Sequence, residues 1–168
     1  IRISGVRDSK KCSRQQIDSL GPIVAEQASF LGLGFSSAEY INEHGLAQAW
    51  HNAAEMALAG APPLKELIVD GVRRVDNYRG KQQATPKADL LHWQVSAASI
   101  VAKGLRDNEM EMFAEIYPGY GWERNVGYGT KEHIEAIALL GTNELHRMQF
   151  VDKALKTMRR KNRAPSRF

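Results

Sequence analysis

The stretch ELIVDG, residues 66–71, places three apolar residues before a carboxylate and a glycine. Leu67, Ile68 and Val69 are typical of a central strand that is covered on both faces, so the run predicts a short buried strand. The pattern leaves two interpretations of Asp70 equally open. It is either the polar end of the strand, followed by an Asp-Gly turn, or a catalytic group at a strand tip.

The sequence before ELIVDG extends it into a strand, helix, strand pattern. Residues 28–36 alternate with Leu31, Leu33 and Phe35 on one side, which predicts a strand with that side buried. Residues 36–58 follow with a serine cap and helical spacing of small and apolar residues. This order of elements is typical of a βαβ unit and predicts the α/β class.

The remaining elements are predicted from caps and breakers. Ser13 and Gln16 form a capping-box pattern that opens a short helix, which Gly21-Pro22 should end. Residues 71–88 are polar and predict a loop or a weak strand. The rest of the chain predicts a long helix over 94–117 whose small residues let it lie close to a sheet, a glycine and aromatic loop over 117–130, a helix from the cap Thr130 through Leu140, and a last helix from about Val151.

Charge and cysteine content indicate the binding partners and the cellular compartment of the protein. The formal net charge is +4, but residues 153–168 hold seven of the 23 Lys and Arg and no acid, which leaves 16 basic against 19 acidic residues before them. Such a basic tail favours polyanions such as nucleic acid, although a solvated terminal helix is an equally good interpretation of charge alone. One cysteine, Cys12, and no secretion signal or membrane-spanning stretch favour the cytoplasm and exclude a membrane.

Two carboxylates stand at structurally fixed places. Asp70 ends the predicted strand, and Asp89, in PKADLLHW, precedes the small-residue helix. Carboxylates from different elements that meet at one point repel each other unless a cation lies between them, and Mg²⁺ or Mn²⁺ prefers such oxygen ligands. The plainer interpretation of Asp89 is an acid at a helix N-terminus, favoured by the helix dipole.

Other side chains give weaker signals. His133 and His146 have no partner at metal-ligand spacing, so ordinary hydrogen-bonded histidines are the better interpretation of both. The chain contains no P-loop, GxSxG or GxGxxG motif, which disfavours P-loop hydrolases, serine hydrolases and dinucleotide oxidoreductases.

Lys10, Lys11 and Tyr128 could hold a phosphate backbone and pack on a sugar or base. The alternatives are an exposed basic turn for the two lysines and a tyrosine buried against the long helix for Tyr128. Residue pattern alone favours these alternatives.

Taken together, the segments resemble type 2 ribonuclease H, ribonuclease HII. The matching stretches are DSKK at 8–11, LIVDG at 67–71, KADLLHWQVSAASIVAKGLRD at 87–107, YPGYGWERNVGYGTKEH at 117–133 and HRMQF at 146–150. They follow the family's order at plausible spacings, and SAASIVAK followed by RD and then GYGTKEH is a specific combination.

The resemblance implies a ribonuclease H-like α/β fold with a mixed five-stranded sheet flanked by helices. We expect residues 1–150 to form that domain, incomplete at its N-terminus, and residues 151–168 to form a basic helix and tail. The implied activity is a Mg²⁺- or Mn²⁺-dependent endonuclease that cuts RNA in RNA–DNA hybrids and cuts 5′ to ribonucleotides embedded in DNA. Its products carry 3′-hydroxyl and 5′-phosphate ends.

By motif position, Asp70 and Asp89 resemble the third and fourth metal-binding, catalytic carboxylates of the family. Lys10 and Lys11 would lie near substrate phosphates, and Tyr128 resembles the tyrosine at the ribonucleotide junction. The chain departs from the family in lacking the strand motif Asp-Glu-Ala-Gly-Arg-Gly, which supplies the first two carboxylates, and in having Tyr40-Ile41-Asn42 where the family has Glu-Ile-Asp.

The absent motif sets the expectations for activity. Without its central strand the sheet should expose apolar edges on its neighbours. We expect a monomer, or a chain paired with a missing N-terminal segment, that alone binds metal weakly and cuts poorly. The alternatives are a relative that only binds nucleic acid, and a structural domain in which Asp70 and Asp89 have no metal role.

Overall fold

A computed structural model describes residues 2–163 of the chain. It divides into two compact units: the first consists of Ile1–Phe35 and Trp50–Arg106, and the second of Ser36–Ala49 and Asp107–Phe168. Each is described by itself below. Over the described residues, none of the helices combines the length and apolar character that crossing a bilayer requires.

Helices dominate both units. A short 3-10 turn covers Ser9–Lys11, and the strands are β1 (Leu67–Asp70) and β2 (Gln82–Thr85). The helices are α1 (Arg14–Gln27), α2 (Ala38–Leu58), α3 (Ala88–Leu91), α4 (Trp93–Ile116), α5 (Trp122–Asn125), α6 (Lys131–Leu140) and α7 (Met148–Arg163). The α/β class is confirmed, and the end of the predicted basic tail, residues 164–168, lies outside the described residues.

The sheet of the first unit is smaller than the resemblance implied. Residues 2–163 form one sheet of two parallel strands, in register from Leu67 opposite Gln82 to Asp70 opposite Thr85, and not a mixed sheet of five. Consequently β1 is only half-buried, and the prediction of a central strand covered on both faces is wrong.

The loop between the two strands is fixed by one side chain. The amide of Gln82 accepts a hydrogen bond from the N–H of Val75 at 2.9 Å and donates to the carbonyls of Val75 and Tyr78. The side chain therefore supplies hydrogen-bond partners to backbone groups of the loop, in which Val75 is buried.

The capping box that opens α1 is confirmed. Ser13 Oγ accepts from the N–H of Gln16, and Gln16 Oε1 accepts from the N–H of Ser13. The predicted break at Gly21-Pro22 is wrong, because α1 continues through Pro22 to Gln27. A residue before proline normally avoids helical angles because its Cβ meets the proline ring, and Gly21 has no Cβ.

Residues 28–36 do not form the predicted strand, and their faces are reversed. They have no regular structure, and Leu31, Leu33 and Phe35, predicted to be buried, are 43, 50 and 74% exposed. The glycines between them face α2 instead: a Cβ on Gly34 would lie 1.8 Å from the carbonyl oxygen of Ala53. The small side of the segment is thus packed and the apolar side lacks a neighbouring layer.

The apolar core of the first unit lies mainly between helices. Ala97 and Val101 of α4 share a buried cluster with Val24 of α1, and Ile3 and Val6 pack against it. The predicted helix and its small residues are confirmed, but this cluster joins them to α1 rather than to the sheet. Gly104 also permits close packing, since a Cβ there would lie 3.1 Å from Ile17.

The core of the second unit is aromatic. Trp122 is 2% exposed and clusters with Met110, Tyr120, Ile137 and Val151, which come from four different segments. The predicted α6 is confirmed, with Thr130 Oγ1 accepting from the N–H of His133.

Asn42 links distant parts of the second unit. Its amide nitrogen donates to the carbonyl of His146 at 3.0 Å, and its Oδ1 accepts from the N–H of Met148 at 2.8 Å. The residue that departs from the family's Glu-Ile-Asp therefore fixes the start of α7, and both of its polar atoms are used.

Candidate active site

Asp70 lies at the last position of β1, opposite Thr85. The N–H of Gly71 donates to the carbonyl of Thr85 at 3.0 Å, and Gly71 then turns the chain away with a φ of 115° that favours glycine. The carboxylate of Asp70 is exposed and accepts, through Oδ1, a hydrogen bond from the N–H of Ala88 at 3.0 Å. Asp70 is thus both a strand end and a side chain held at a defined place.

Asp89 is the next residue after that donor. It lies in the one-turn helix α3, which begins after Lys87 with a φ of 59°. Its carbonyl accepts from the buried hydroxyl of Ser96, which ties α3 to the first turn of α4. The structure therefore brings Asp70 and Asp89, predicted from separate motifs, to neighbouring positions at one strand end. We call them the carboxylate pair.

The carboxylate pair supplies only some of the oxygen ligands that a divalent-ion site needs. Asp89 is half-buried, and its carboxylate has no hydrogen-bond partner among the described residues. Within residues 2–163 no group of three or more His, Cys, Asp or Glu side chains could hold a metal ion. Two carboxylates carry two negative charges against the four positive charges of a metal pair, so these residues alone do not fit two ions.

The two lysines of the first unit are available for contacts. Lys10 and Lys11 are exposed in the 3-10 turn, where Asp8 is the N-cap and accepts from the N–H of Lys10 at 3.0 Å. Ser9 between these residues is buried, so the turn is anchored while the ammonium groups face solvent. The two lysines therefore form the exposed basic turn that the sequence offered as an alternative. Exposed ammonium groups are also what contacts to phosphates require.

Tyr128 belongs to the second unit. The alternative of a tyrosine buried against the long helix is wrong, because Tyr128 is 65% exposed. Its backbone is fixed on both sides: its N–H donates to the carbonyl of Asn125 and its carbonyl accepts from the N–H of Thr130, each at 2.8 Å. An exposed aromatic ring on a fixed loop is suited to packing against a sugar or base.

The loop rests on buried polar residues that the sequence did not identify as a group. We define Tyr120, Trp122, His133 and His146 as the aromatic–histidine cluster. Their ring centroids lie 5.0 to 6.3 Å apart. The indole N–H of Trp122 donates to His133 Nε2 at 3.0 Å, and His133 Nδ1 lies 3.0 Å from the carbonyl of Tyr128. For Tyr120, Trp122 and His133 the sequence signal is the placement of YGW before GYGT and of KEH directly after it, and His146 lies outside this pattern.

The two histidines differ in whether both of their ring nitrogens have a hydrogen-bond partner. Both ring nitrogens of His133 have partners, as the sequence interpretation expected. His146 is bonded only through Nδ1, to Asn143, and its buried Nε2 has no hydrogen-bond partner. Burial lowers the pKa of His146, and the nearby His133 lowers it further. His146 therefore favours the neutral form.

Comparison with known proteins identifies relatives along most of the chain. The family model described as Ribonuclease HII matches residues 1–153. A Ribonuclease HII of Synechococcus sp. (strain JA-3-3Ab) is 38% identical over 88% of this chain and 66% of its own length. The Roseobacter denitrificans protein of that name is 38% identical over 87% and 74%, and that of Clostridium perfringens (strain ATCC 13124) is 32% identical over 89% and 55%. The chain thus spans between about half and three quarters of the length of these relatives.

Proposed function

The chain belongs to the ribonuclease HII family, and from this premise we propose that it is an endonuclease acting on RNA joined to or paired with DNA. It hydrolyses the RNA strand of RNA–DNA hybrids and cuts 5′ to ribonucleotides embedded in a DNA duplex, leaving 3′-hydroxyl and 5′-phosphate ends. The observation that carries the proposal is the carboxylate pair at the end of β1, where Asp70 bonds the amide adjacent to Asp89.

We assign Asp70 and Asp89 as catalytic carboxylates and as ligands of Mg²⁺ or Mn²⁺. Bound divalent ions would make an attacking water more acidic and stabilise charge on the leaving oxygen. Asp70 presents an oxygen donor at a fixed position, since it is held by the N–H of Ala88, and Asp89 adds a second carboxylate in the adjacent helix α3. Because the pair alone does not fit two ions, further carboxylates have to complete the site.

We propose that those carboxylates come from a strand of the type Asp-Glu-Ala-Gly-Arg-Gly, either in the same protein or on a separate segment. Such a strand needs an apolar surface beside it. The exposed Leu31, Leu33 and Phe35 of the first unit would supply a surface of this kind.

Three exposed side chains are the proposed contacts to nucleic acid. Lys10 and Lys11 would contact substrate phosphates, and the ring of Tyr128 would pack at the ribonucleotide, where a 2′-hydroxyl distinguishes RNA from DNA. A reducing cytoplasm, without a membrane, is the proposed location.

Cleavage of a fluorescent DNA duplex bearing one ribonucleotide, in Mn²⁺, tests the proposal. We expect the 168 residues alone to cut slowly and the same chain joined to the Asp-Glu-Ala-Gly-Arg-Gly segment to cut 5′ to the ribonucleotide. Asp70→Asn should then reduce the rate at least about 10-fold, since losing a metal ligand should cost no less than losing an outer-shell partner. Asp76→Asn, which removes a charge from the adjacent loop, is the matched control. Efficient cutting by the 168 residues alone would contradict the need for further carboxylates.

A second candidate is nucleic-acid binding without cleavage. It is favoured by the basic character of α7, where Lys153, Lys156 and Arg160 are exposed while Val151 and Leu155 are packed in the core. This function predicts salt-dependent binding to hybrid or duplex, without cutting, even after the Asp-Glu-Ala-Gly-Arg-Gly segment is added.

A further inference from the structure

The loop around Tyr128 is held by hydrogen bonds to its backbone from several buried or neighbouring groups. The Tyr128 carbonyl has two partners, the N–H of Thr130 and the imidazole of His133. One turn earlier, Asn125 Oδ1 accepts from the N–H of Gly127 at 2.9 Å, and Asn125 Nδ2 donates to the carbonyl of Tyr120 at 2.8 Å. The backbone carrying an exposed ring is therefore fixed from its buried side.

The hydrogen bond from Trp122 determines which ring nitrogen of His133 carries the proton. The indole N–H of Trp122 can only donate, so His133 Nε2 must accept and carries no hydrogen. The proton of the neutral ring is then on Nδ1, where it is donated to the Tyr128 carbonyl. A buried donor, Trp122, thus selects the tautomer in which His133 donates to the loop.

We propose that His133 is a positioning residue for Tyr128, acting through a Trp122 to His133 to Tyr128 carbonyl relay of hydrogen bonds. The inference rests on the proposed contact between Tyr128 and a ribonucleotide. A ring whose loop is already ordered loses less conformational entropy on stacking, so the relay increases affinity without touching the substrate. His133 is 6% exposed and cannot be a contact residue itself.

Two substitutions separate the two halves of the relay. The side-chain nitrogen of asparagine lies as far from Cβ as Nδ1 of histidine, so His133→Asn can keep the donor to Tyr128. The terminal amide of glutamine lies at the depth of Nε2, so His133→Gln can keep an acceptor for Trp122 but loses the donor. The two variants remove the same ring and bury similar polar groups, so each is the control for the other.

Affinity is measured by fluorescence anisotropy for a DNA duplex with one ribonucleotide, using the full chain without divalent metal at low salt. Tyr128→Ala should weaken binding roughly tenfold, as expected for one lost stacking contact. His133→Gln should weaken it about threefold or more, and His133→Asn by less than about twofold. In a Tyr128→Ala background, His133→Gln should have no further effect.

The outcomes distinguish this inference from the proposed function. If Tyr128→Ala leaves affinity unchanged, the proposed contact fails and the positioning role fails with it. If Tyr128→Ala weakens binding but His133→Gln does not, only the positioning role is overturned. An equal effect of His133→Gln with and without Tyr128 would also overturn it, because His133 would then act on binding by another route.

The relay also has a signature in the unmodified protein, which covers the case of a variant that fails to fold. Nitrogen-15 NMR of the histidine rings should show His133 protonated on Nδ1, with an unprotonated Nε2. A spectrum in which His133 carries its proton on Nε2 would overturn the proposal, since the Tyr128 carbonyl would then have no imidazole donor.

Discussion

The carboxylate pair and the aromatic–histidine cluster are held in opposite ways. Asp70 has one hydrogen bond to the N–H of Ala88, and the carboxylate of Asp89 has no partner within the described chain. Trp122 and His133 are buried, and every nitrogen in their relay has a partner. The comparison shows that the groups proposed to bind a cation remain available for it, whereas the groups proposed to support a contact are already satisfied.

Trp122→Ala should have the largest effect, because it removes the most buried aromatic residue of the cluster. We expect a loss of about 3–5 kcal/mol in the free energy of unfolding, measured by urea denaturation. Leu139→Ala, at a position 83% exposed, is the apolar control and should change stability by less than about 0.5 kcal/mol. A loss below about 1 kcal/mol at Trp122 would mean that the cluster does not stabilise the second unit.

Gly34→Ala tests the packed side of residues 28–36 in the first unit. Its Cβ would lie 1.8 Å from the backbone oxygen of Ala53, so the segment has to shift away from α2. We expect a loss of about 1–3 kcal/mol in unfolding free energy. At Gly129 an added Cβ meets nothing within 4 Å, and Gly129→Ala should be close to neutral. Equal effects of the two substitutions would show that Gly34 is not packed against α2.

Substitutions of Asp70 separate its structural from its proposed metal-binding role. Asp70→Ala should lower the free energy of unfolding by about 1 kcal/mol, because the N–H of Ala88 loses its acceptor. Asp70→Asn keeps an oxygen at that position and should retain stability in thermal unfolding. Both should weaken Mn²⁺ binding in a calorimetric titration. Unchanged Mn²⁺ affinity in Asp70→Asn would show that Asp70 ends the strand and does not bind the metal.

His146 should give the smallest effect, as a dependence of stability on pH. Its folded pKa is lowered, so below the unfolded value near 6.5 the unfolded chain binds the proton more readily. Stability should therefore fall as the pH decreases below about 6.5, by a fraction of the limit of about 1.4 kcal/mol per pH unit for one proton. His146→Gln should flatten this part of the curve in urea unfolding at pH 7.5 and 5.5. A slope that His146→Gln leaves unchanged would assign the effect to other groups.

Features whose cause lies within a few residues could be predicted from the sequence. Ser13 and Thr130 cap their helices through bonds to residues three positions later, and both caps are confirmed. The position of Asp70 at a strand end was also predicted, since it depends only on the apolar run before it. The catalytic roles of Asp70 and Asp89 stay predictions that rest on family resemblance.

Features that depend on distant neighbours could not be predicted. The alternation in residues 28–36 identified two faces, but which face is packed depends on α2, and Gly34 rather than Leu33 meets it. The bond between Trp122 and His133 joins residues 11 positions apart through a loop and a helix start. Periodicity carries no information about such a pairing, and only the fold brings it together.

Asn42 has a consequence for the order in which the chain is made. Its two hydrogen bonds reach His146 and Met148, 104 and 106 positions later. A ribosome completes more than four fifths of the 168 residues before those partners exist. During synthesis, the side chain of Asn42 therefore lacks these two partners, and this contact can close the second unit only after translation has passed Met148.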